Sequence, residues 1–191
     1  ANVDAKPSNL VQFAQMGSIY MENICKVKNP KVGLVNIGAE EEKGNNLAKE
    51  TYQLLSNLEG INFIGNIEAR EIPEGKADVV VCDAFVGNVI LKMYEGVGGV
   101  LLKKVKGTLM TSLKTKIGAL LIKKELKETL KTFQMDQYGG APLLGLKGLV
   151  VKTHGNSKAI EVKNSIIQCI SFKEMNINDK ISKKLAVKKE N

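Results

Sequence analysis

Three polar segments of the sequence carry residue types that could bind an anion and polarise a carbonyl group. They span residues 36–46, 83–88 and 153–157, and each follows a short apolar run. A lysine can neutralise a bound phosphate, and an asparagine amide can donate to a developing oxyanion. The segments supply such groups, with glycines among them, in Lys43, Asn36, Asn45, Asn88, Asp83, Gly87, His154 and Ser157.

Short apolar strands separated by a helical pattern must position these segments. The predicted strands are 32-VGLVNIG-38, 61-INFIG-65 and 78-DVVVC-82, and a helix is predicted over 47–58. Strands without polar alternation, separated by helices, indicate a parallel sheet covered on both faces. The predicted fold class is therefore α/β. Because parallel strands end at one edge of the sheet, all three polar segments are expected to cluster there.

The rest of the chain is predicted to be mainly helical. The remaining predicted elements are a helix from 7-PSN-9 to about residue 24, a helical region at about 87–133, strands at 143–145 and 148–152, and a helix at about 159–170. Glycines are expected to interrupt the long helical region at Gly96, Gly98, Gly99, Gly107 and Gly118. We predict one domain over residues 1–171, followed by a basic, frayed tail over 172–191.

Each candidate residue also has an ordinary structural explanation. Lys43 follows three glutamates and is equally a solvated loop charge. Asp83 and Asn88 suit a turn acid and a helix cap, and His154 suits a loop histidine bonded to backbone. Gly87 would need only a positive φ angle. Residue types and spacing leave both explanations open.

The sequence lacks the motifs of several common enzyme classes. It contains no GxSxG elbow, no HExxH, no Walker lysine motif and no GxGxxG, and it has one histidine. Covalent catalysis by a protein nucleophile is therefore poorly supported, and no metal is predicted. Cys82 lies in an apolar strand, where cysteine usually packs as a small hydrophobic residue. Any reaction here should use a nucleophile that the substrate supplies.

Positive charge is concentrated in the second half of the chain, within a formal net charge of +8. Residues 1–91 contain 8 basic and 12 acidic residues, whereas 92–131 contain 10 and 3, and 132–191 contain 10 and 5. Arg70 is the only arginine, and there is no tryptophan. Proteins that bind nucleic acid rely on arginine and on stacking aromatic rings, so no nucleic-acid partner is predicted.

Compartment and topology are predicted from cysteine usage and apolar run length. The three cysteines lie far apart without a CxxC spacing, which is typical of reduced thiols in a cytoplasm. No apolar run approaches the roughly 18–20 residues of a membrane span, so no crossing of a bilayer is predicted. The segment 1-ANVD-4 has neither an initiator methionine nor signal-peptide character, so a fragment of a longer protein is expected.

Six segments match, in order, the motifs of a known enzyme family. They lie between residue 1 and about residue 170 and read 1-ANVDAKPSNLVQFAQMGSIY-20, 34-LVNIGAEEEKGN-45, 62-NFIGNIEAR-70, 77-ADVVVCDAFVGNVILK-92, 139-GGAPLLGLKG-148 and 154-HGNS-157. The sequence thereby resembles the phosphate acyltransferases of bacterial phospholipid synthesis, the PlsX family. The resemblance covers roughly the C-terminal three fifths of the usual family chain.

The resemblance implies a specific fold and reaction. The implied fold is a three-layer α/β/α sandwich with a mostly parallel sheet, similar to isocitrate and isopropylmalate dehydrogenases, with a protruding long-helix hairpin and a homodimeric assembly. The implied reaction converts a long-chain acyl thioester on acyl carrier protein, with inorganic phosphate, into acyl phosphate, and it needs no cofactor. Phosphate attacks directly, so catalysis depends on positioning and oxyanion stabilisation. With one wall of the cleft missing, this chain alone could be inactive.

The family motifs also imply roles for individual residues. Lys43 in EEEKGN and Asn88 in FVGN are predicted to contact phosphate and the oxyanion, as the catalytic residues. The supporting candidates for substrate or phosphate binding are Asn36, Asn45, Asp83, Gly87, His154 and Ser157.

An amphipathic, cationic helical segment lies between residues 105 and 121. Such a segment can lie on an anionic bilayer, and the candidate contact residues are Leu109, Met110, Leu113, Ile117 and Leu121. The resemblance implies a cytoplasmic protein peripherally associated with the inner face of the cell membrane, near the downstream glycerol-3-phosphate acyltransferase. Packing against a partner subunit is an equal alternative. The same lysines could attract the acidic carrier protein.

Two other functions compete with acyl phosphate formation on the carrier protein. The first is a phosphate acetyl- or butyryltransferase that acts on coenzyme A thioesters. The second is a non-catalytic module that binds membrane or nucleic acid through the basic half of the chain. The scarcity of arginine counts against nucleic acid.

Overall fold

Helices and strands alternate through the first half of the chain, and helices dominate the second half. The computed structural model describes residues 2–131 and 139–186. Its elements are α1 (Pro7–Asn23), β1 (Lys31–Asn36), α2 (Asn46–Ser56), β2 (Asn62–Glu68) with a 3₁₀ turn (Ala69–Glu71), β3 (Val79–Val81), α3 (Ala84–Leu109), α4 (Leu113–Leu121), α5 (Lys123–Lys131), β4 (Ala141–Pro142), β5 (Val151–Lys152), α6 (Ala159–Glu174) and α7 (Ile177–Ala186). The predicted α/β class is confirmed. The end of the predicted helical region, at residues 132–133, lies outside the described residues.

β1 is the central strand of a small parallel sheet with the order β2-β1-β3. Val32 of β1 pairs with Phe63 on one side and with Val79 on the other. α2 carries the chain from β1 to β2, and the chain then returns to the opposite side of β1. The carboxyl ends of all three strands therefore meet at one edge, as the sequence predicts.

Helices α1 and α2 cover one face of this sheet. Val32 and Leu34 of β1 and Val79 and Val81 of β3 share a buried cluster with apolar residues of both helices. Side chains alternate between the faces of a strand, so the residue between two buried valines faces the other way. That residue, Val80, is 36% exposed. Among the described residues the opposite face is therefore open at Val80, so the predicted coverage of both faces is incomplete.

α3 is a 26-residue helix that continues through most of the glycines expected to interrupt it. The glycines inside α3 are Gly96, Gly98, Gly99 and Gly107. Each costs only about 1 kcal/mol relative to alanine, and the leucines and lysines around them favour helix. Gly118 lies within α4, and the break falls before it, where the Ser112 side chain caps α4 by accepting from the Thr115 amide at 3.2 Å.

Helices α3 and α4 contain no buried residue. α3 contacts α4, and α4 contacts α5, so the three helices continue from one to the next. By length and composition α3 is apolar enough to span a membrane, since an 18-residue window has a mean hydropathy of 1.3. The sequence prediction concerned uninterrupted apolar runs, and Lys92 and Glu95 interrupt this one. The prediction that no segment crosses a bilayer therefore stays a prediction.

Residues 172–186 are folded, which corrects the predicted frayed tail over this part of the chain. They complete α6 and form α7. Ile177 and Ile181 are 0% and 3% exposed, and they pack with Met16 and Phe172 in a second core cluster. Lysine-rich composition concealed an amphipathic helix whose apolar positions recur at the helical spacing. The remainder of the predicted tail lies outside the described residues.

A two-stranded antiparallel hairpin lies apart from the parallel sheet. β4 pairs with β5, with Ala141 opposite Lys152. Strands were predicted nearby at 143–145 and 148–152, but only two residues pair in each strand. The loop between them packs on the second core cluster.

Replacing Ile181 by alanine tests whether α7 belongs to the core. Ile181→Ala should lower the free energy of unfolding by about 2–5 kcal/mol, because a buried aliphatic side chain leaves a cavity. Ile160→Ala is the matched control, since Ile160 is 54% exposed, and its effect should stay within about 0.5 kcal/mol. Urea denaturation followed by circular dichroism compares the two. Equal effects would show that α7 does not pack on the core.

Candidate functional site

The loops that follow β1 and β3 leave the sheet side by side. Neighbouring strands lie about 4.8 Å apart, so residues that follow them share one edge. The chain moves from β1 to β2 on one side and later returns to β3 on the other. In open α/β sheets, ligands bind beside the carboxyl ends of strands where the strand order reverses in this way. The sheet therefore places residues 37–45 and 82–88 at a favourable position for a ligand.

The Asn36 side chain closes the loop that follows β1. Its Nδ2 donates to the Lys43 carbonyl oxygen at 3.0 Å, and its Oδ1 accepts from the Ile37 amide at 2.8 Å. Gly44 has φ +89°, and a Cβ there would lie 2.3 Å from Asn36 Oδ1. Both the φ angle and this close approach require glycine. Asn36 therefore has a structural role, which leaves its predicted role in binding untested.

Lys43 lies at the far end of this loop with an exposed side chain. Its backbone amide donates to the Glu40 carbonyl oxygen at 3.2 Å. Its aliphatic carbons pass close to Gly38, where a Cβ would lie 3.2 Å from Lys43 Cγ. Among the described residues no ion pair joins Lys43 to the preceding glutamates. Its ammonium group is therefore available to an anion.

A shallow depression on the α2 side of the same loop is unsuited to phosphate. It is lined by Glu41, Glu42, Lys49, Glu50 and Gln53. Three carboxylates against one lysine repel an anion. The side of the loop that faces β3 and α3 is the better position for a phosphate group.

Two of the candidate side chains cap the helices that begin at this edge. Asn45 accepts from the Ala48 amide at 2.9 Å and caps α2. Asp83 accepts from the Val86 amide at 2.7 Å and caps α3. These are the ordinary roles of asparagine and aspartate at helix starts. A direct contact of Asn45 or Asp83 with substrate stays a prediction.

Asn88 lies one turn into α3 and is exposed. Within the part of the chain that the structure describes, its side chain makes no hydrogen bond, so its amide is free to donate. Gly87 precedes it within the helix and has no positive φ angle. A Cβ at Gly87 would lie 3.0 Å from Cys82 Sγ. Glycine is needed here for close packing rather than for backbone conformation.

Cys82 is poorly suited to act as a nucleophile. Burial, with a smaller effect of the neighbouring Asp83 carboxylate, raises the pKa of its thiol to about 11. Because the thiolate is the reactive form, such a thiol is almost entirely inactive near neutral pH. The interpretation of Cys82 as a packing residue is consistent with this shift.

The third polar segment follows a strand outside the parallel sheet. His154 and Ser157 follow β5, which pairs with β4 and not with the parallel sheet in the described residues. His154 is exposed, and its carbonyl oxygen accepts from the Ser157 amide at 3.1 Å. The parallel sheet therefore brings together two of the three predicted segments. The third follows a strand of the antiparallel hairpin, so its place at the common edge stays a prediction.

Asn66 contacts the loop that follows β1, but it was not among the site residues predicted from the sequence. It lies in β2, is 3% exposed, and donates from Nδ2 to the Glu40 carbonyl oxygen at 2.8 Å. An asparagine directly after a glycine inside an apolar strand was the available signal, since this pattern is typical of a β-bulge. Elsewhere in the described residues, no group of three His, Cys, Asp or Glu could hold a metal ion.

The chain belongs to the family described as fatty acid synthesis protein, whose model matches residues 1–180. The predicted resemblance is confirmed by relatives named phosphate acyltransferase. The Clostridium novyi protein is 54% identical over 181 residues, which is 95% of this chain and 54% of that protein. The Clostridium acetobutylicum protein is 53% identical over 97% of this chain and 56% of its own length. The Acetivibrio thermocellus protein is 51% identical over 94% and 53%.

The chain spans just over half the length of these curated relatives. Their shared name describes transfer of an acyl group with phosphate. The polar residues at the β1 and β3 edge are of a type that can serve such a reaction.

Alkylation of the cysteines tests the assignment of Cys82 to packing. At about pH 8 a thiol with a pKa near 11 is ionised in about one molecule in a thousand. Iodoacetamide should therefore modify Cys82 much more slowly than the exposed Cys25, and the rate at Cys82 should rise as the pH approaches 11. In urea the two should react alike, which controls for reagent quality. Equal rates in the folded protein would contradict the assignment.

Proposed function

We propose that this chain contributes the phosphate- and thioester-binding edge of an enzyme that forms acyl phosphate. The proposed substrates are a long-chain acyl thioester on acyl carrier protein and inorganic phosphate, and the pathway is phospholipid synthesis. The observation that carries the proposal is the adjacency of the β1 and β3 carboxyl ends. The side chains of Lys43 and Asn88, which follow these ends, make no ion pair or hydrogen bond in the described chain. The names of the relatives support the reaction class.

The proposed reaction is a direct acyl transfer. A phosphate oxygen attacks the thioester carbonyl carbon and forms a tetrahedral oxyanion, and the C–S bond then breaks as the carbonyl reforms. The carrier leaves as a thiolate and takes up a proton. Lys43 reduces the charge repulsion of the phosphate dianion, and the Asn88 amide donates to the oxyanion. The chain's own contribution is to hold both groups at one edge of a rigid sheet.

The proposed complete assembly is larger than the described residues. It is a three-layer sandwich with a mostly parallel sheet, similar to isocitrate and isopropylmalate dehydrogenases, in a homodimer. Support comes from the parallel β1 pairing and from the open sheet face at Val80, which a further layer would cover.

A chimera tests the roles of Lys43 and Asn88. In it, this chain replaces the matching part of the Clostridium novyi phosphate acyltransferase. Lys43→Ala or Asn88→Ala should reduce kcat/KM by about 10²–10³, the scale for losing one oxyanion or phosphate contact. Lys28→Ala is the control, because Lys28 is an exposed lysine before β1, at the opposite edge of the sheet. Phosphate-dependent loss of acyl-carrier thioester is the assay.

The outcomes separate the competing functions. Activity within about threefold of the unsubstituted chimera would remove both residues from the mechanism. Faster turnover of acetyl- or butyryl-coenzyme A than of the long-chain carrier thioester would favour the short-chain alternative. The exposed apolar surface of α3 and α4 favours the long-chain substrate.

A second proposal concerns the end of α3 and the following α4. Of the five membrane-contact candidates, Leu113 and Leu121 are 75% and 76% exposed, Met110 and Ile117 about half exposed, and Leu109 partly buried. Lysines flank them at 114 and 116. We propose peripheral contact with an anionic membrane on the cytoplasmic side, near the downstream glycerol-3-phosphate acyltransferase. The same lysines attract the acidic carrier protein, with no nucleic-acid partner.

Vesicle flotation tests the membrane contact. Replacing Leu113 and Leu121 together by serine should lower the bound fraction on anionic vesicles at least tenfold, since each buried leucine contributes about 2 kcal/mol. The matched control replaces Ile166 and Ile170 of α6, which are 59% and 53% exposed. Equal flotation of both double variants would contradict the contact. Salt-dependent DNA binding without lipid preference would favour the nucleic-acid alternative.

A further inference from the structure

β2 contains a bulge opposite the middle of β1. Val32 pairs with Phe63 and Leu34 pairs with Asn66, so two steps along β1 match three along β2. Gly65 lies within the extra step with φ +90°, a conformation that glycine adopts without strain. A bulge re-aims the side chains that follow it and is often found beside functional sites.

The bulge gives β2 two consecutive buried residues with different environments. Ile67 is fully buried, and its side chain lies over Gly33, where a Cβ would be 2.8 Å from Ile67 Cγ2. Successive side chains point to opposite faces of a strand, so Asn66 faces away from Ile67. Asn66 meets the loop that carries Lys43. The bulge therefore delivers a buried amide to this loop.

The orientation of the Asn66 amide follows from its partner. The Glu40 carbonyl oxygen accepts and cannot donate, so the NH₂ group must face it. Asn66 Oδ1 is buried with no hydrogen-bond partner in the described chain. Burying an unpaired acceptor is unfavourable, and an apolar residue would avoid that cost. The hydrogen bond to the loop is what asparagine supplies at this position.

Glu40 links Asn66 to Lys43 through one atom. The Glu40 carbonyl oxygen accepts from Asn66 Nδ2 at 2.8 Å and from the Lys43 backbone amide at 3.2 Å. Asn36 holds the carbonyl side of Lys43 at 3.0 Å. Lys43 is thus fixed on both sides, through its amide by Glu40 and through its carbonyl by Asn36. Within the described residues, Asn66 is the sheet residue that holds Glu40 by a hydrogen bond.

We propose that Asn66 is a positioning residue that fixes the β1 loop so that Lys43 presents its ammonium group to phosphate. This proposal rests on the proposed function for the role of Lys43, but the anchoring of the loop does not depend on it. Losing the anchor should weaken phosphate binding specifically, because the loop would sample many positions while the sheet stays folded.

Asn66→Asp tests the proposal, because it keeps the shape of the side chain and removes the NH₂ donor. Asn62→Asp is the matched control: Asn62 lies on the same strand and donates to the Asn29 carbonyl oxygen at 3.0 Å, but at the other end of β2. In the chimera, Asn66→Asp should raise the KM for phosphate about tenfold, with kcat and the KM for the thioester changed less than about twofold. Asn62→Asp should leave the KM for phosphate unchanged.

Hydrogen–deuterium exchange on the chain itself gives a second, activity-independent measurement. Asn66→Asp should accelerate exchange in peptides covering residues 37–45 and leave those of α1 unchanged, whereas Asn62→Asp should not affect 37–45. If the aspartate variant does not fold, Asn66→Ala removes the same donor and carries the same expectations.

Two results for Asn66→Asp would overturn the proposal. The first is unchanged exchange in residues 37–45. The second is a fall in kcat with an unchanged KM for phosphate, which is the result expected of a purely structural residue. Failure of the proposed function would look different from failure of the anchoring role. If Lys43 does not bind phosphate, Lys43→Ala would leave the KM for phosphate unchanged, but Asn66→Asp would still accelerate exchange in residues 37–45.

Discussion

The parallel pairing of β1 with a strand on each side determines where every functional element of the first half emerges. Because β1 is central, the loops after β1 and β3 share an edge, and α2 and α3 begin there. The loops after β1 and β3 are far apart in the sequence, but strand pairing brings them close together in space. Asn45 and Asp83 use their side chains to start the two helices, whereas the side chains of Lys43 and Asn88 make no ion pair or hydrogen bond within the described residues.

Local sequence patterns predicted the parallel part of the fold well. Elements whose position depends on pairing between distant strands could not be predicted in this way. The strand of valines before Cys82 and the helix start at Pro7 follow directly from apolar runs and capping preferences. The position of His154 depends on whether β5 joins the parallel sheet, which no local signal determines. Asn66 was missed because a bulge changes which face a residue occupies, and periodicity assumes a regular strand.

Helix continuity was the other source of error. Glycine weakens a helix by an amount that neighbouring residues can offset, so α3 extends through four glycines. Residues 172–186 show the opposite error. Their many lysines suggested a frayed tail, although Ile177 and Ile181 form an apolar stripe at helical spacing. A helix such as α3, apolar and without buried residues, requires a partner surface of some kind. The membrane proposal for α4 and the homodimer proposal each provide one.

The central claim is that phosphate binds between the β1 and β3 loops. An NMR titration of the isotope-labelled chain with inorganic phosphate, against chloride at matched ionic strength, tests this claim most directly. The account predicts saturable shifts of the backbone amides of residues 37–45 and 84–88. Saturable shifts confined to 153–157, or none beyond those seen with chloride, would contradict it.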